Sequence, residues 1–135
     1  MFSPEKRSAI MSLVRSKNTK PELLVRSLLH RMGYRFRLHR KDLPGSPDMV
    51  LPKYRTAIFA HGCFGHQHPG CKKATLPKLN AEFWREKFER NVRRDENAQR
   101  RLREMGWRVL VLWECEVKRD ADALPARLKA TLSAG

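Results

Sequence analysis

Apolar residues recur along this chain with two different spacings, and the changes between them divide it into elements. Ser3-Pro4-Glu5 reads as a helix N-cap followed by proline at the first helical position, which opens a short helix over about 3–14. Thr19-Lys20-Pro21-Glu22 has capping-box spacing. Leu23, Leu24, Leu28, Leu29 and Met32 then supply the apolar face of a second helix, which Gly33 stops. From Tyr34 the repeat shortens: Tyr34, Phe36 and Leu38 alternate with Arg35, Arg37 and His39, as in a half-buried strand. A turn over 43–47 leads to a second strand over 48–51, and a third over 56–60 is apolar on both faces and therefore central. Asn80 is placed to cap a long helix over about 81–105, closed by Gly106. Residues 107–115, rich in β-branched and aromatic side chains, read as another buried strand, and a tail helix starts near residue 120. The order predicts one α/β domain spanning 1–135, with a central mixed sheet flanked by helices. A chain of this length suits a single core.

Charge narrows the range of partners. Lys and Arg number 29 against 14 Asp and Glu, a formal net charge of +15. The basic residues recur throughout instead of forming one tail, so a folded, broadly positive surface that meets a polyanion is expected. Residues 1–18 are expected to be one basic DNA-contacting segment, with Lys17 and Lys20 as contacts. A basic helix lying on anionic lipid is the competing explanation. There is no long apolar run, and Met1-Phe2-Ser3-Pro4 lacks a signal-peptide core, so a cytoplasmic protein without membrane contact is expected.

Residues 61–73 are dense in histidine, cysteine and glycine and fit neither period. Cys63-x4-His68-x2-Cys71 lets three ligands converge on one ion, and Cys115, at the end of the predicted last strand, is the natural fourth. Such a Cys3His set closes the coordination sphere, so its zinc would be structural. His66 is an alternative to His68 as the nitrogen ligand, and three buried thiols with a surface histidine are the plainer reading.

A second constellation suits hydrolysis. Asp48 stands at the mouth of an apolar strand, where turn chemistry beside Pro47 is the competing explanation. His61 follows Ile58-Phe59-Ala60 and should reach the same end of the sheet. Magnesium prefers hard oxygen ligands, so Asp48 and a main-chain carbonyl near Ala60 could hold it against a substrate phosphate, with histidines moving protons. Asp95 falls on the inward stripe that Phe88, Val92, Leu102 and Met105 define, where a carboxylate needs a partner such as histidine unless a kink exposes it. Glu22 is explained by its capping box alone.

Six segments together resemble the very-short-patch repair endonucleases: residues 15–22, Pro47-Asp48, His61-Gly62-Cys63-Phe64, residues 91–95, residues 106–110 and Trp113-Glu114-Cys115. The likeness runs from about Ser8 to Val117. It implies a restriction-endonuclease-like fold with structural zinc, and magnesium-dependent nicking of double-stranded DNA 5′ to the thymine of a T:G mispair, the product of 5-methylcytosine deamination. By position, Asp48 resembles the metal-binding aspartate, His61 and His66 the active-site histidines, and Asp95 the aspartate that supports them. Cys63, His68, Cys71 and Cys115 fall on the zinc ligands, and Glu22 on a functional acidic position. Phe64 and Trp84 fall where aromatic rings approach the mispair as wedges. Three departures are the absence of the restriction-like Glu-x-Lys pair on the third strand, which reads Phe59-Ala60-His61 and where histidines replace it within this family, Gly65, where the family usually has tryptophan, and the extra residue in Pro69-Gly70. A monomer is expected. The alternatives are a nuclease for another lesion or a restriction-type target, and a zinc-stabilised DNA-binding module without catalysis.

Overall fold

A computed structural model describes residues 18–133. The helix expected over 3–14 and the DNA contact expected at Lys17 lie outside the described residues. Within them, four strands and four α-helices follow in the order α1 (Lys20–Arg31), β1 (Arg37–Leu38), β2 (Met49–Leu51), β3 (Thr56–His61), α2 (Ala81–Glu104), β4 (Arg108–Trp113), α3 (Glu114–Arg119) and α4 (Leu124–Ser133). The strands form one sheet in the order β1-β2-β3-β4. The first two pairings are antiparallel and β3–β4 is parallel, which α2 makes possible as the crossover. A mixed sheet between helices was expected, and it is present.

Side-chain parity along β3 builds the two faces. Ile58 and Ala60 join Val25 and Leu29 of α1, Val117 of α3 and Leu124, Leu128 and Leu132 of α4 in one core. Ala57 and Phe59 point the other way, onto Leu102 of α2 and Trp107. Successive residues of a strand alternate faces. His61 therefore emerges on the face that α2 covers.

Helix ends follow local chemistry. The Thr19 hydroxyl accepts the Glu22 N–H at 3.3 Å to start α1. Gly33 (φ +85°) and Gly106 (φ +90°) stop α1 and α2 in the left-handed conformation. At each stop the next two N–H groups bond back to carbonyls of the last turn: Gly33 to His30 and Tyr34 to Leu29, then Gly106 to Arg103 and Trp107 to Leu102.

Several expectations need correction. The inward stripe of α1 is Glu22, Val25 and Leu29, whereas Leu23 and Leu24 are exposed. Residues 22, 25 and 29 share one helical face, and positions 23 and 24 are rotated away from it. The first strand shrinks to Arg37–Leu38, because Tyr34 and Phe36 pack on the core from an irregular segment. Met105 lies beyond the last helical residue of α2 and is exposed, so Ala98 takes its place on the inward stripe. Asn80 precedes α2 with φ +57° and makes no side-chain capping bond. Cys115 is on α3, not at a strand end, because the Glu116 carboxylate accepts the Trp113 N–H at 3.1 Å and turns the chain into a helix.

Candidate active site

β2 and β3 bring Asp48 and Ala60 together. Met49 pairs with Ile58, so the continued register sets Pro47 opposite Ala60. Pro47 has no N–H to give to the Ala60 carbonyl, and the Asp48 carboxylate accepts the Ala60 N–H at 2.8 Å. In an extended strand a residue's N–H and C=O lie on one side. The Ala60 carbonyl therefore faces the same side as Asp48.

Asp48 is 8 % exposed. Burial pushes its carboxyl up to about 7, the Ala60 N–H opposes that shift, and the neighbouring Glu22 carboxylate adds to it. Glu22 is 1 % exposed. Its Oε1 accepts the Asn18 N–H at 3.1 Å, and its Oε2 receives Arg26 and His39 Nε2, the latter at 2.8 Å. Glu22, His39 and Asp48 offer ligand atoms that all lie within 4.8 Å of one another. Two hard carboxylate oxygens and a carbonyl on one side are a donor set suited to magnesium.

Across the same cavity, about 410 Å³ in volume and lined by His39, Asp48, His61, His66 and Asp95, stands an imidazole–carboxylate pair. His66 Nδ1 is 2.7 Å from Asp95 Oδ2. Asp95 reaches this position because it shares the stripe of Phe88, Ala98 and Leu102 on α2. The His61 ring stacks on His66 at 3.8 Å between centroids and 1° between planes. Burial holds the His61 imidazole down to about 3, reinforced by His66 and opposed by Asp95, so the ring is neutral near pH 7. Its Nδ1 is buried without a hydrogen-bond partner among the described residues.

The 61–73 loop ends in a second cluster. Cys63, His68, Cys71 and Cys115 place their ligand atoms within 4.8 Å of one another. His68 Nδ1 lies 3.4 Å from Cys115 Sγ and 3.7 Å from Cys63 Sγ. Tetrahedral zinc with ordinary bond lengths would set a nitrogen–sulfur edge of about 3.5 Å, so the donors fit that ion. His68 is thus the histidine beside the thiols, while His66 serves Asp95. Burial pushes the Cys63 thiol up to about 12, so a cation binding there must displace a proton. Trp113 joins the two clusters: His68 stacks on it at 4.2 Å, and it meets His61 edge-on at 5.2 Å.

The candidate DNA contacts are placed less uniformly. Lys20 is exposed at the start of α1. Phe64 is half-buried, but Trp84 is 1 % exposed and packs on Phe88 at 5.7 Å and Phe64 at 6.4 Å. As an outward wedge Trp84 is not available in this arrangement; Phe83, at 50 %, is the exposed ring of that turn. Gly65 is buried, and its carbonyl accepts the Asn91 side chain at 3.3 Å. Sequence reasoning passed over His39. Its only signal was hairpin arithmetic, since Leu38 pairs with Met49 and His39 therefore falls opposite Asp48.

Among the described residues no helix is long and apolar enough to cross a membrane. Residues 1–73 match the family described as DNA mismatch endonuclease Vsr. The chain is 55 % identical over 131 residues to the type II nicking enzyme V.XorIIP of Xanthomonas oryzae pv. oryzae, covering 97 % of this chain and 95 % of that one. It is 46 % identical over 121 residues to V.NmeAIP of Neisseria meningitidis, named likewise, covering 90 % and 86 %. It is 42 % identical over 127 residues to DNA mismatch endonuclease Vsr of Escherichia coli, covering 91 % and 81 %. With the family matched over half its length and relatives this similar along nearly all of it, this chain belongs to the Vsr family of DNA mismatch endonucleases, hydrolases that act on DNA.

Proposed function

We propose that this endonuclease nicks one strand of duplex DNA 5′ to the thymine of a T:G mispair, on a restriction-endonuclease-like frame, with magnesium as the catalytic ion and zinc as a structural one. The observation that carries the reading is the His66–Asp95 pair facing Asp48 across one cavity. Asp48, Glu22 and the Ala60 carbonyl would hold magnesium, which when bound supplies charge stabilisation at the scissile phosphate. His66 commits Nδ1 to Asp95 and keeps Nε2 for water. It takes a proton from the attacking water, and Asp95 steadies the imidazolium that forms. His61, neutral and stacked beside it, adds no opposing charge. Water oxygen bonds to phosphorus, the bond to O3′ breaks, O3′ takes a proton from solvent water, and a 5′-phosphate and a 3′-hydroxyl result. Cys63, His68, Cys71 and Cys115 would hold zinc and fix the loop that carries His66.

A formal charge of +15 supports tight phosphate contact, with Lys17 and Lys20 among the contributors. Assigning Phe64 and Trp84 to the base stack requires their cluster with Phe88 to part on DNA, and separating bases costs least at a mispair. One chain carries every residue of the site, which supports a monomeric enzyme. The names of relatives as nicking enzymes support cleavage of a single strand.

The test is single-turnover cleavage of end-labelled T:G and T:A duplexes with magnesium and with chelator. A nick in the T:G duplex alone, only with magnesium, and lost in Asp48→Ala while DNA binding persists is expected. Equal cleavage of T:A sinks the mismatch assignment. Cleavage in chelator sinks the cofactor, and turnover by Asp48→Ala sinks the site.

A further inference from the structure

We propose that His39 is a positioning residue of this nuclease: it ties Glu22 of α1 to Asp48 of the sheet, so that two acidic oxygens face one divalent cation. The proposal rests on the site reading above. His39 is bound to both partners at once. Its main-chain N–H donates to the Asp48 carbonyl at 3.1 Å, while its Nε2 lies 2.8 Å from Glu22 Oε2. One residue thus sets the spacing between a helix and a strand edge that carry the two carboxylates.

Its surroundings assign the direction of the side-chain bond. Arg26 can only donate, and it also contacts Glu22 Oε2, with its terminal nitrogen 3.4 Å from His39 Nε2. Two groups that converge on one carboxylate oxygen must both donate, so Nε2 carries hydrogen. Arg26 divides itself between Glu22 and the Asn18 side chain, which it meets at 2.7 Å. That leaves His39 as the donor that approaches Glu22 from the cavity wall.

The backbone supports a role beyond packing. His39 has φ +46°, a conformation that non-glycine residues adopt at a cost and that recurs at functional sites. His39 lines the cavity with Asp48, His61, His66 and Asp95, and its side chain is only 20 % exposed. A surface ion pair would be the plain explanation of a His–Glu contact. Glu22, at 1 % exposure, is not on the surface. Without the Nε2–H, Glu22 keeps only the shared Arg26 and the Asn18 N–H, neither of which ties it to the strand edge that carries Asp48.

The experiment uses three substitutions that separate donor from backbone. His39→Gln keeps an N–H near the ε position. His39→Asn tolerates the left-handed backbone but is too short to reach Glu22. His39→Ala has neither property. Binding of manganese(II) to zinc-loaded protein is measured by electron paramagnetic resonance, alongside the magnesium dependence of nicking, DNA affinity and melting. Loss of such an outer partner typically weakens metal binding about 10- to 100-fold. That loss is expected for Ala and Asn, in manganese binding and in magnesium requirement alike, with DNA affinity unchanged and Gln restoring most of it. Wild-type manganese affinity in His39→Ala overturns the proposal. So does restoration by Asn but not Gln, which would assign the effect to backbone conformation. Asp48→Ala separates the two levels: if it retains manganese and nicking, the underlying site is wrong, whereas if it loses both while His39→Ala behaves as wild type, only the role of His39 falls.

Discussion

Replacing Asp48 with asparagine is expected to abolish nicking and at the same time stabilise the metal-free active site. The carboxyl ionises near 4 in an unfolded chain and at about 7 in the folded protein, chiefly because it is buried and secondarily because Glu22 stands beside it. A raised folded value means that stability is complete below about pH 4, falls as pH rises toward 7, and stays reduced above. At about 1.4 kcal/mol per pKa unit the full cost of ionising Asp48 is about 4 kcal/mol, and sharing with Glu22 brings the expected gain on removing the charge to roughly 2–4 kcal/mol. Asparagine keeps an acceptor for the Ala60 N–H and gains an N–H that can donate to Glu22, so no buried group is orphaned. For a domain of this size the gain is a rise in Tm on the order of 10 °C at pH 8. The assay is thermal unfolding of both zinc-loaded proteins from pH 5 to 8.5 without magnesium. The difference should be smallest at pH 5 and level off above pH 7. His61 loses its contribution as pH falls toward 3, but it is common to both proteins and cancels. Magnesium should then narrow the gap by stabilising only the wild type. An Asp48→Asn protein that melts below wild type at pH 8, or a difference independent of pH, would refute the reasoning.

Three further outcomes test the rest of the site. Cys115→Ser should lower both zinc content and Tm, and it should also slow nicking at temperatures where the variant is folded. The reason is that His68, Trp113, His61 and His66 form one chain of ring contacts, two stacked and one edge-on; unchanged zinc stoichiometry would leave Cys115 merely buried. Asp95→Asn should cut the single-turnover rate by about 100-fold with the magnesium requirement unchanged, since it acts on the His66 imidazole and not on the cation. Trp84→Ala should cost about 3–5 kcal/mol in denaturant unfolding whereas Phe83→Ala costs little, because the first ring is packed and the second exposed; equal stabilities would contradict the burial.

Much of the architecture was legible locally. The glycines at 33 and 106 and the apolar run 56–60 are properties of short segments, and each became the expected helix end or central strand, whereas the alternation from Tyr34 yielded a strand only at Arg37–Leu38. Asp95 could be read as inward because a helical stripe reports on its own residues. The density of ligands over 61–73 marked a cluster before any fold was known. Other features depended on what lies opposite. Glu22 shares a face with Val25 and Leu29, yet its capping position accounted for it fully until the sheet closed over that face. His39 acquired meaning only when the β1–β2 register set it against Asp48, and Trp84 turned inward because Phe64 and Phe88 were there to receive it. Periodicity in a sequence determines which residues share a face. Which faces meet, and therefore which charges are buried together and which rings are withheld from solvent, is decided by strand register and layer packing, contacts between residues far apart in the chain that no local pattern encodes.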